Sequence, residues 1–195
     1  MRAMLFLTLL ASCTHDIDSV DRVDVRPVAR DLDILFVFDN SPDRGTFDQM
    51  ASQLDVLQTR LKDVDGQLPS LRVGVVTTDL GTKGTQDAFP GPPVGNCAGN
   101  GNGGRLVSFG SGIPLNFFLE DLRGPDGTRI QNFSSGDLAL ELGRLTNPPS
   151  GTANTGCEFE QPLEAMRRAL NPNINPGFIR PDAMLSIVFL GTDDD

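Results

Sequence analysis

The sequence predicts an α/β domain built on an open, mostly parallel sheet with helices on both faces. Three observations lead there. Short apolar runs at Ile34–Phe38, Leu71–Thr78 and Met184–Leu190 are each closed by turn-forming residues, the pattern of strands covered on both sides. A helical apolar stripe separates the first two, making a strand–helix–strand unit within 45 residues and implying a right-handed crossover. The 195-residue chain is long enough to bury a core, and its 12 phenylalanines supply the aromatic bulk that absent Trp and Tyr do not.

The first residues read as an address. MRAMLFLTLLAS places one Arg before an apolar run and small residues, the layout of a secretory signal peptide over residues 1–12. Met4–Leu10 is too short to persist as a membrane-spanning helix, which needs about 20 apolar residues. Leu10-Ala11-Ser12-Cys13 has the form of a bacterial lipobox, so Cys13 is expected to carry lipid and hold the protein at a membrane surface. Residues 13–30 mix Asp16, Asp18, Asp21 and Asp24 with Arg22, Arg26 and Arg30, offer little to a core, and read as a lipid-anchored tether. The folded domain is expected over 31–195. The expected location is the cell envelope, on the outer membrane in preference to the inner.

Within that domain, Ile34–Phe38 (ILFVF) is the first buried strand and stops abruptly at Asp39. Phe47, Met50, Leu54, Leu57, Leu61 and Val64 then recur at intervals of three and four, one face of a helix. Thr46 and Gln49 have capping-box spacing at its start, and Gly66 closes it. Leu71–Thr78 (LRVGVVTT) is the second strand. Gly81–Gly104 is rich in Gly, Pro and Asn and reads as an irregular loop; without a strand-to-helix setting or a GK[ST] ending, its glycines do not make a phosphate cradle. Arg105–Pro125 matches neither period. Leu138, Leu142 and Leu145 predict a short helix ended by Asn147-Pro148-Pro149. A further helix is expected to carry Phe159, Leu163, Met166 and Leu170, with Pro162 tolerable only in its first turn. Met184–Leu190 (MLSIVFL) is the third buried strand, followed by Gly191-Thr192-Asp193-Asp194-Asp195.

Charge and histidine content narrow the chemistry. Against 26 acidic side chains stand 16 basic ones, a formal balance of −10, so a general nucleic-acid footprint is missing. The single histidine, His15, falls in the tether, which excludes a Ser-His-Asp triad, a Cys-His pair or a His-rich zinc site inside the domain. Carboxylates and hydroxyls remain, and they gather after strands: Asp39-Asn40-Ser41-Pro42-Asp43 after the first and Thr192 to Asp195 after the third, with the hydroxyl-rich Gly151–Gly156 between. Ligands of open α/β sheets bind outside the carboxyl ends of strands. An all-oxygen donor set suits Mg²⁺, Mn²⁺ or Ca²⁺.

Strand-Asp39-x-Ser41-x-Asp43, then Thr155 before a helix, then strand-Asp193, resembles the von Willebrand factor type A domain with its metal-ion-dependent adhesion site. Lipoproteins of this fold from myxobacteria and their relatives share Asp33–Val37, Val75–Gly81, Phe159–Ala165 and Arg180–Ala183, so the likeness covers roughly residues 31–195. The resemblance implies a Rossmann-like sheet and a divalent cation, Mg²⁺ first. It implies that Ser41 coordinates the ion directly and Thr155 directly or through water, and that Asp39 and Asp193 hold it from the first or second shell. An acidic group on a protein or other surface partner would complete the octahedron. The pattern departs from the family at Asp43, which replaces a serine and adds a negative charge, and at Gly191, which displaces Thr192-Asp193 from the strand end. Domains of this family continue with a helix, a strand and a helix, so the sequence reads as C-terminally truncated, with Met184–Leu190 expected as an apolar edge strand.

In an exported chain with Cys13 assigned to lipid, the remaining Cys97 and Cys157 are expected to form a disulfide. The competing expectation, a reactive Cys157 thiolate at a helix start, lacks a histidine base in the domain. The function expected is an envelope-anchored binding or adhesion module and not an enzyme. Its alternatives are a structural or degenerate envelope lipoprotein that binds no ligand, or a metal-dependent hydrolase. The last rests on the likeness of Ile34–Asp39 to the strand-Asp start of haloacid-dehalogenase-type phosphatases, which want a second acid where Ser41 stands.

Overall fold

Strand β1 (Leu32–Phe38) takes an interior place in a five-stranded sheet, between two parallel neighbours, because six of its seven residues can be buried at once. The computed structural model describes residues 31–40, 53, 56–62, 66–82, 97, 99, 101–107, 118–146, 157 and 159–191. The expected signal peptide, the lipidated Cys13, the tether and the Thr46–Gln49 capping box lie outside them. Around β1 stand β2 (Leu71–Thr77), β3 (Phe118–Arg123), β4 (Arg129–Gln131) and β5 (Met184–Leu190), in the order β4-β3-β2-β1-β5.

Strands β2 and β5 both run parallel to β1, in register from Leu32 opposite Leu71 and Met184 to Phe38 opposite Thr77 and Leu190. The other two pairings, β2 with β3 and β3 with β4, are antiparallel. The described sheet is therefore mixed, parallel only in its β2-β1-β5 half, which corrects the expectation of a mostly parallel one. The antiparallel half is a hairpin within and just beyond the stretch that sequence left unassigned. Its turn, Gly124-Pro125-Asp126-Gly127-Thr128, closes through the Gly127 N–H donating to Gly124 O at 3.0 Å and the Gly124 N–H to Thr128 O at 2.8 Å. The Asp126 carboxylate accepts from the Thr128 hydroxyl at 2.6 Å, the local bonding for which Asp is favoured in turns.

Side chains alternate across β1 and so build two cores. Ile34, Phe36 and Phe38 meet Val73, Val75, Leu119 and helix α1 (Leu138–Thr146), which presents Leu138, Leu142 and Leu145. Leu57 and Leu61, at and just beyond the helical residues 56–60, pack on the same face. Asp137 caps α1, its carboxylate accepting the Leu140 N–H at 3.0 Å. On the opposite face Leu35 and Val37 meet Val76, Leu80, Leu106, Phe178 and helix α2 (Pro162–Ala169). Gly74 of β2 admits Phe178 there: a Cβ on Gly74 would stand 2.9 Å from its ring.

Helix α2 departs from the expected stripe. Pro162 occupies its first turn, so Phe159 precedes the helix and has no helical phase to share with Leu163. Both are 67% exposed, and the face turned to the sheet is Ala165 and Ala169, with Met166 and Leu170 at its border. Small residues at i and i+4 let the helix lie close on the sheet. Asn175 then ties its end to the glycine-rich segment, donating to Gly104 O and Ala169 O, each at 2.9 Å, and accepting the Leu106 N–H.

The outer face of α2 carries a charged fork. Arg167 and Arg168 both bond Glu164, and these hydrogen bonds, Arg167's first, hold its carboxyl down at about 2, against an ordinary 4.5. A carboxyl held low stabilises the fold above its unfolded value and loses that contribution as pH falls through the folded one. Glu164→Gln is therefore expected to lower the thermal midpoint at neutral pH, with parent and variant converging as pH drops from 4.5 towards about 2.

Candidate functional site

The parallel half of the sheet presents three strand ends side by side. Beyond β1 the ladder continues for one more residue: the Asp39 N–H donates to Leu190 O at 2.8 Å and the Thr78 N–H to Phe38 O at 2.9 Å. Asp39, Thr78 and Gly191 are thus level at the carboxyl ends of β1, β2 and β5. The approach to α2 is brought against them by the Gln161 N–H, which donates to Thr78 O at 3.2 Å, and by the Gln161 amide, which donates to Gly81 O at 3.3 Å.

Between these parts opens a cleft of about 440 Å³. Its polar wall is Asp39, Thr78 and Glu160; its apolar wall is Val37, Pro162, Leu163, Phe189 and Leu190. Asp39 is only 4% exposed and Thr78 only 2%, so neither is an ordinary solvated turn residue. The Thr78 hydroxyl oxygen and Asn40 Oδ1 are buried without a hydrogen-bond partner. Buried polar atoms are nearly always paired, and an orphan calls for an explanation such as an ion or a water.

A disulfide joins Cys97 to Cys157 and fastens the glycine-rich segment to the chain leading into α2. Below the cleft Asn102 donates to the Thr77 hydroxyl at 2.6 Å and its backbone N–H to Asp79 O at 2.9 Å. Gly101 makes that approach possible, with φ of 50° and no room for a Cβ beside the Asp79 carboxylate.

Of the residues expected to hold a cation, Asp39 lies in this cleft. Ser41, Asp43, Thr155 and Asp193 lie outside the described residues. Among the described residues no group of three or more His, Cys, Asp or Glu is assembled. The described side-chain donors of the cleft are nonetheless the right kind for a hard divalent ion: the carboxylates of Asp39 and Glu160 and the hydroxyl of Thr78, the last orphaned. Sequence reasoning passed over Thr78 and Glu160. Thr78 follows a parallel strand as Asp39 does, but a hydroxyl there is also an ordinary turn residue; Glu160 has no signal until α2 is seen to start two residues later.

No protein-family model, curated protein sequence or solved structure matches the chain. The site must be read from its own chemistry. Among the described residues no helix is long and apolar enough to cross a membrane.

Proposed function

We propose that this chain is an envelope lipoprotein, lipid-anchored at Cys13, whose domain is a von Willebrand type A-like binding module and not an enzyme. In this reading a divalent cation, Mg²⁺ first and Mn²⁺ or Ca²⁺ next, sits at the carboxyl ends of the parallel strands. Asp39 holds it, with Ser41, Thr155 and Asp193 as the further oxygen donors that the sequence resemblance implies, and Asp43, where the family has a serine, as an added carboxylate. A coordination position left to water is taken by an acidic group of a protein or other surface partner.

The observation that carries the reading is the burial of Asp39 in a cleft at the carboxyl end of β1. An α/β sheet collects ligands at just this edge.

A cation that binds only the folded chain raises its melting temperature by mass action. Millimolar Mg²⁺ is expected to raise the melting temperature of the parent relative to EDTA, and to leave that of Asp39→Ala unmoved. An equal shift in both, or none in the parent, contradicts the reading.

A further inference from the structure

We propose that Thr78 and Glu160 belong to the cation site: Thr78 supplies a hydroxyl ligand from the end of β2 and Glu160 a second carboxylate from the approach to α2. This inference rests on the cation reading above and extends it to two residues to which the resemblance gives no role at the ion. It stands on three features. Thr78 and Glu160 line the same cleft as Asp39, from three separate elements. The Thr78 side chain is 2% exposed, yet its hydroxyl oxygen has no hydrogen-bond partner. Its own backbone is fully engaged, the N–H with Phe38 O and the C=O with the Gln161 N–H, so the residue is clamped with the hydroxyl left over.

An orphaned buried hydroxyl is unfavourable for stability, and a valine there would pack in the same volume without that penalty. A hydroxyl retained at such a cost is explained by a ligand that it meets only when the ligand is bound. Two carboxylates with hydroxyls and water form the donor set in which Mg²⁺ or Mn²⁺ is ordinarily held, whereas Ca²⁺ prefers six to eight oxygens. Glu160 is carried to the cleft by the Gln161–Thr78 backbone bond. The same contact therefore delivers the carboxylate and immobilises the hydroxyl.

The test is a calorimetric titration of MnCl₂ into the purified chain, with Thr78→Val, Thr78→Ser, Glu160→Gln and Asp39→Ala compared, and metal-free melting temperatures recorded for each. Thr78→Val is expected to melt at or above the parent without metal and to bind Mn²⁺ about 10-fold or more weakly, with Thr78→Ser restoring affinity. Glu160→Gln is expected to weaken binding by a similar factor. If Thr78→Val does not fold, Thr78→Ala against Thr78→Ser decides the same point. Binding lost in Asp39→Ala but unchanged in Thr78→Val and Glu160→Gln overturns this inference and leaves the cation reading standing. Absence of saturable binding by the parent overturns both.

Discussion

Arg180→Ala is expected to destabilise the domain by about 3–5 kcal/mol, the cost of removing one partner from a buried ion pair. Asp33 opens β1 at the end of the sheet remote from the cleft and is 1% exposed. Arg180 bonds it through its guanidinium at 2.9 Å and through its backbone N–H at 2.7 Å. The same guanidinium reaches Asp31 at 2.8 Å, Leu32 O at 3.2 Å and Ser70 O at 3.1 Å. One side chain thus seals the start of β1 to the turn before β2 and to the segment that enters β5. Truncation would leave the Asp33 charge buried beside two carbonyls that have lost a donor. Urea unfolding of parent and variant measures the difference. A loss below about 1 kcal/mol would place this cluster among exposed pairs of little consequence.

Reduction of the Cys97–Cys157 disulfide is expected to cost about 4 kcal/mol, from the chain entropy released by opening a loop of 60 residues. That loop contains β3, β4 and α1, so the crosslink restrains nearly a third of the chain in the unfolded state. Both cysteines are buried, and Phe159 donates its N–H to Cys157 Sγ at 3.3 Å, which sets the path into Glu160 and α2. Cys97→Ser/Cys157→Ser should unfold at a lower urea concentration than the oxidised parent, and at the same concentration as the parent in reductant. Coincident transitions for the oxidised parent and the double variant would remove the crosslink from the account. Effects of this size are large against a total stability of roughly 5–15 kcal/mol.

Strands β1 and β2 were legible because burial on both faces demands uninterrupted apolar residues. The same kind of run marked Met184–Leu190 as a buried strand, but β5 stands at the end of the described sheet order with Met184, Leu185 and Phe189 exposed, so it is the apolar edge strand and not a buried one. The hairpin was not legible, and its charges show why. Phe118–Arg123 reads FLEDLR, and Glu120 and Asp121 break any simple period. Both are accounted for only once the register is known: Glu120 lies opposite Arg72 and bonds it at 2.8 Å, and Asp121 is buried against Arg129 at 2.7 Å. Pairing across strands, invisible along the chain, makes those charges compatible with a sheet. Pro125-Asp126-Gly127 was the available turn signal.

Helix α2 gives the complementary lesson. Its large apolar residues suggested one face, whereas close packing on the sheet selected the alanines and left Leu163 at the cleft. At the site, Asp39 was legible as an acid after a buried strand. Thr78 was not, because a hydroxyl after a strand is also an ordinary turn residue, and only its burial without a partner distinguishes it.

In the proposed reading the strand ends hold a divalent cation through Asp39. Calorimetric titration of MgCl₂ into the parent chain and into Asp39→Ala tests it most directly. Saturable binding of one ion by the parent and none by the variant is expected. Saturable binding that survives in Asp39→Ala, or no binding by a folded parent, would contradict it.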